Sequence, residues 1–67
     1  MAEDITLTDD DKKIVHLIAQ GKYDKEIAYE LGLSYGAISM RIKRLKKKLG
    51  AHGKKELAQK AFERKLA

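Results

Sequence analysis

The stretch Leu31–Gly50, LGLSYGAISMRIKRLKKKLG, decides the fold. It opens on a three-residue joint, Gly32-Leu33-Ser34, and runs into a helix that closes at Gly50. Ile38, Ile42, Leu45 and Leu49 recur at i, i+4, i+7 and i+11, a narrow apolar arc at helical spacing. Six of the eight residues from Arg41 to Lys48 are Lys or Arg, and none is acidic. With Ile38 at the centre of the buried face, a wheel at about 100° per residue sets Gly36, Met40, Lys43 and Lys47 opposite. Ser39 and Arg44 flank them, and Arg41 lies nearer the core edge. A basic helix held out by a small scaffold fits the DNA major groove and its phosphate walls.

The flanking sequence reads as that scaffold. Upstream, Asp24 is placed to cap a short helix over Lys25–Leu31, with Ile27, Ala28 and Leu31 on its inner stripe. Gly32 suits a left-handed residue at its end. Leu33 plugs inward, and Ser34 caps the next helix, about 35–49. Two helices separated by three residues make the joint of a helix-turn-helix. Further upstream, Thr8 and Asp11 have capping-box spacing, and Asp9, Asp10 and Asp11 favour the positive end of a helix dipole. Ile14, Val15, Leu17 and Ile18 line that first helix, about 9–20, which Gly21 ends. A fourth helix covers about 54–66. Its Leu57, Ala58, Ala61, Phe62 and Leu66 spread over roughly half the wheel, wider than one packing face needs. Leu57 and Ala61 can close the core. Phe62 and Leu66, with Ala58, are then a second apolar surface for another chain, unless a broad core wraps the whole helix.

Composition bounds the rest. Sixty-seven residues make one small domain. A chain this short buries only about 60% of its unfolded surface, so well-packed helices or a partner subunit must supply stability. There is no cysteine, which removes disulfides and thiolate metal sites and suits a cytoplasmic location. No apolar run approaches the ~20 residues of a membrane span. The charge is polarised. Residues 1–11 carry five acids and no base, residues 12–33 four bases and three acids, and residues 34–67 eleven bases and two acids. The net +5 therefore sits in the C-terminal half, where a polyanion should bind. Residues 1–6 read as an acidic arm and residues 7–67 as the domain. His16 falls among first-helix apolar residues and His52 in a loop, without metal-ligand spacing. Tyr23 and Tyr29 read as packing residues. No glycine-rich phosphate loop, paired histidines or room for a closed pocket supports an enzyme, a cofactor or a small-molecule ligand.

Several short motifs stand at definite intervals: Leu7-Thr8, Ala19-Gln20-Gly21, Lys25-Glu26-Ile27-Ala28, Leu31-Gly32-Leu33-Ser34, Ile38, Lys48-Leu49-Gly50 and Glu56-Leu57. Together they resemble the LuxR/GerE-type helix-turn-helix, without a gap from about Leu7 to Ala61. The resemblance implies an all-α, four-helix domain, the output end of a bacterial transcription regulator. It implies that the second and third helices form the helix-turn-helix, that the third enters the major groove, and that the fourth makes a two-fold dimer. Ser39, Met40 and Lys43 match the family's base-reading positions. The chain departs from the family pattern at Tyr35, Gly36 and Ala37, and at Ser39 and Arg41. Arg41 is closer to region 4 of sigma factors.

The expected site follows from side-chain chemistry. Lys43 can donate to guanine O6 or N7, and Ser39 can serve a base edge or a phosphate. Met40 suits a thymine methyl. Gly36 lets the backbone approach closely. Arg44, Lys46 and Lys47 are placed as phosphate anchors, which position without reading sequence. Lys25 and Tyr35 lie near helix N-termini, where phosphates are favoured. The expected partners are double-stranded DNA and a second copy of the chain. A second reading is a protein–protein module that binds RNA polymerase, as sigma region 4 does, or a full-length relative. The chain is expected to be either a complete small regulator or the output domain of a longer one.

Overall fold

In the computed structural model, residues 6–66 are described, and they form four α-helices: α1 (Asp9–Ala19), α2 (Asp24–Leu31), α3 (Tyr35–Leu49) and α4 (Lys54–Glu63). Most of the acidic arm, residues 1–5, lies outside the described residues. Among the described residues there is no strand, as the all-α reading requires.

Each helix begins and ends where local chemistry permits. Thr8 caps α1 reciprocally: its Oγ1 accepts the Asp11 N–H at 3.1 Å, and its own N–H donates to Asp11 Oδ2 at 3.3 Å. Ser34 Oγ accepts the Ala37 N–H at 3.1 Å and starts α3. α2 departs from expectation. Asp24 is its first helical residue rather than its cap. The capping contact comes from inside the helix, where Glu26 Oε1 accepts the Tyr23 N–H at 2.9 Å. Asp24 is thereby free to form an ion pair with Lys54. That pair ties the first turn of α2 to the first turn of α4, two helices that do not otherwise pack together.

All four helices close with the same hydrogen-bonded reversal, in which two successive N–H groups turn back on the last carbonyls. At the joint of the helix-turn-helix, Gly32 N–H donates to Tyr29 O and Leu33 N–H to Ala28 O. Gly32 adopts φ +66 there. α4 makes this reversal three residues earlier than its apolar pattern suggests. Lys65 takes a left-handed φ of 58, and Leu66 N–H donates to Ala61 O at 2.9 Å. The helix therefore stops at Glu63, and Leu66 folds back against the core.

The core is the sum of the inward stripes. Ile14, Val15, Leu17 and Ile18 of α1, Ile27 and Ala28 of α2, Ile38, Ile42, Leu45 and Leu49 of α3, and Leu57, Ala58 and Ala61 of α4 are buried, with Leu7 sealing the N-terminal end. α3 packs against all three other helices. Each fully buried Ile or Leu contributes about 1.5–3 kcal/mol by leaving water, so the α3 seam holds its helix firmly in rotation. Tyr23 and Tyr29, read as packing residues, are instead 75% and 89% exposed. The reason is geometric: Tyr29 lies two residues beyond Ile27, about 200° around α2 from it and about 100° from Ala28, and Tyr23 precedes the helix.

The α3–α4 corner is fixed by two side chains. Lys60 Nζ donates to Gly50 O at 2.8 Å, and Glu56 Oε1 accepts the His52 N–H at 2.6 Å. The His52 bond, with the nearby Lys60 and His52 charges, holds the Glu56 carboxyl below its ordinary value near 4.5, against a smaller opposing effect of desolvation.

Two outcomes follow for stability. A Cβ at Gly32 would meet no atom within 4 Å, so Gly32→Ala is expected to cost only the left-handed strain, about 1–2 kcal/mol in urea unfolding; an unchanged midpoint contradicts the joint as described. The folded value of Glu56 is depressed, so its stabilisation is complete above the ordinary carboxylate range and is lost as pH falls through the folded value. Glu56→Gln should therefore lose stability at neutral pH and show a flatter acid limb than wild type in pH-dependent melting.

Candidate nucleic-acid interface

With its seam buried, α3 turns one arc to solvent. Gly36, Met40, Lys43, Arg44 and Lys47 are exposed, and Met40 is 66% accessible. Ser39 and Lys46 are half-buried on one flank of that arc. Tyr35, the first residue of the helix, is 60% exposed. Lys25 is exposed on the first turn of α2. The nine residues expected at the DNA surface thus fall on α3 and on the start of the helix joined to it. Eight belong to α3; Lys25 stands apart, between Asp24 and Glu26 in a turn that is otherwise acidic.

The electrostatics of the arc are one-sided. α3 contains no acidic residue. Among the described residues, Lys43, Arg44, Lys46, Lys47 and Lys48 form no ion pair. Lys46, Lys47 and Lys48 also lie in the last turn, where cations offset the negative end of the helix dipole, so part of their effect is local stabilisation. Lys48 is exposed and was not among the anchors expected from sequence; its wheel position near the core edge hid it, although the run of three lysines was visible.

Arg41 behaves differently. It is drawn back to α1, where its Nη1 lies 3.7 Å from Asp11 Oδ1 and 4.0 Å from Asp10 Oδ2. Its assignment to the core edge holds, and the structure supplies its partners.

The surface expected to hold a second chain is smaller than the sequence suggested. Ala58 is buried in the chain's own core and Leu66 is half-buried against it. Phe62 remains 38% exposed, its ring 5.3 Å from that of His16 on α1. An open depression of about 590 Å³ lies beside it, lined by Ile18, Tyr23 and Ala58 and bordered by Lys22, Lys54 and Lys55.

A short three-residue joint, a second helix seated on the core and a third presenting an exposed cationic arc define a helix-turn-helix DNA-binding domain. The sequence profile of the LuxR family of bacterial regulatory proteins (GerE) matches residues 5–61, and the chain belongs to that family. Its members are DNA-binding transcription regulators. Comparison with curated proteins gives no match. Among the described residues no helix is long and apolar enough to cross a membrane.

Proposed function

We propose that this chain binds double-stranded DNA sequence-specifically and regulates transcription, with α3 lying in the major groove. One observation carries the reading: the solvent-facing arc of α3 holds cations that form no ion pair among the described residues, around three residues that can address base edges. Ser39, Met40 and Lys43 are the base-reading set. Lys43 offers a donor to guanine, Met40 a polarizable apolar tip to a thymine methyl, and Ser39 a donor or acceptor at the edge of the arc. Arg44, Lys46 and Lys47 anchor phosphates, with Tyr35 at the helix start and Lys25 on the neighbouring helix. Gly36, exposed and without a side chain, lets the backbone come close to the DNA.

The chain acts as a homodimer through α4 in this reading. Phe62 is the apolar residue that α4 leaves accessible, and it replaces the broader Phe62–Leu66–Ala58 surface as the centre of the contact. A second reading, association with RNA polymerase or with a full-length relative, is favoured by the open depression beside Phe62 and its border of lysines. A stoichiometric partner that survives nuclease treatment, with no shift of DNA, would support that reading over the first.

Selection of bound sequences from random DNA is expected to return an inverted repeat, because a two-fold dimer reads two half-sites. With about six phosphates neutralised, log K should fall against log salt with a slope near −5. Lys43→Ala should cost about 1–3 kcal/mol and relax preference at one position, whereas Lys47→Ala should weaken all sequences alike. Affinity that ignores salt, or equal effects of both variants on specificity, contradicts the assignment.

A further inference from the structure

We infer that Asp10 and Asp11 act as an internal counter-anion that withholds Arg41 from DNA phosphates and so limits the affinity of this domain for DNA of any sequence. The inference rests on the DNA-binding reading above and concerns a residue outside its base-reading and anchoring sets.

Three observations carry it. First, Arg41 is the one cation of α3 that has ion-pair partners among the described residues, and it has two. Second, one of those partners is held in place from its own side, while the Asp10 side chain is 47% exposed. Asp11 is fixed by the Thr8 cap and its side chain is 13% exposed, so the carboxylate faces Arg41 from a set position. Third, the contact is electrostatic and not locked. Its distances of 3.7 and 4.0 Å exceed hydrogen-bond length, and the Arg41 side chain is 35% exposed. An arginine held this way can exchange one anion for another.

The position of Arg41 makes a phosphate the natural competitor. On the helical wheel it lies about 60° from Arg44 and about 20° from Lys48, both exposed cations on one flank of the recognition arc. A groove wall that meets these residues is within the sweep of a guanidinium, which pairs with phosphate as readily as with carboxylate. Sequence-independent affinity comes almost wholly from phosphate contacts. A helix with six cations in eight residues needs a means of limiting that affinity if base contacts are to decide where it sits. Neutralising one cation internally lowers binding to all sequences together and leaves the base-reading residues untouched.

The test is a double-mutant cycle that cancels the general effect of changing net charge. Arg41→Gln is made in wild type and in Asp10→Asn/Asp11→Asn, and each protein is titrated against a random-sequence duplex at several salt concentrations. In wild type, Arg41→Gln should leave affinity within about twofold and the salt slope unchanged. In the doubly substituted background it should lower the slope by about 0.9 and affinity by roughly fivefold to tenfold at 0.1 M salt. Asn at position 11 keeps an acceptor for the Thr8 N–H. Asp10→Asn alone, which leaves the cap intact, should move the same way by a smaller amount. Equal losses in both backgrounds would show Arg41 to be an ordinary phosphate anchor. No loss in either would show that it never reaches DNA. Each outcome overturns the inference. Failure of the DNA-binding reading is distinct, because wild type itself would then show no salt-dependent binding.

Discussion

The seam of Ile38, Ile42, Leu45 and Leu49 determines the direction in which every charge of α3 points. α3 packs against the three other helices, and its four seam residues are at most 2% exposed. Turning the helix by a single residue, about 100°, would carry Ser39 and Lys43 toward the core and bring Ile38 and Ile42 toward water. Burying an unpaired ammonium is prohibitive, so the seam and the cationic arc enforce each other. Function here is a consequence of rotation: the same sequence of lysines on a freely turning helix would be a solvated surface.

The other elements serve to hold that rotation and to aim the helix. The Gly32 reversal and the Ser34 cap set the angle at which α3 leaves α2. Lys60 on the Gly50 carbonyl and Glu56 on the His52 amide set the corner at its far end. The Asp24–Lys54 pair joins α2 to α4, which share no packed face. None of these contacts is large alone, and the surface ion pairs contribute little to stability. Their value is geometric, since a domain this small has a thin core and depends on its turns to keep α3 presented.

Much of this was legible in the sequence because the signals are local. Thr8 with Asp11, Gly21, Gly32, Ser34 and Gly50 announce helix ends within a few residues, and the period of the isoleucines and leucines fixes the buried faces. What escaped was of two kinds. Some features need a residue in an unfavoured role. The reversal at Lys65 uses a left-handed non-glycine residue, so the early end of α4 carried no glycine to mark it. The cap of α2 comes from Glu26, while Asp24, the better-looking cap, is occupied elsewhere. Other features join residues distant in sequence. Arg41 with Asp10 and Asp11, and the choice at Ala58 and Leu66 between a broad core and a second apolar surface, depend on how helices are brought together, which a one-dimensional period does not encode. The exposure of Tyr29 has a simpler origin: its place on the wheel, and not its aromatic character, decides its burial.

The candidate site was legible to the extent that it follows from rotation. Gly36, Met40, Lys43 and Lys47 were assigned outward from spacing alone, and the structure places all four in solvent. The most direct test is amide chemical-shift mapping of the protein on addition of a duplex carrying its selected site. The largest shifts are expected along the outward arc of α3, at Ser39, Met40, Lys43 and Lys47. Shifts centred instead on the depression beside Phe62, around Tyr23 and Lys55, with that arc unmoved, would contradict the account.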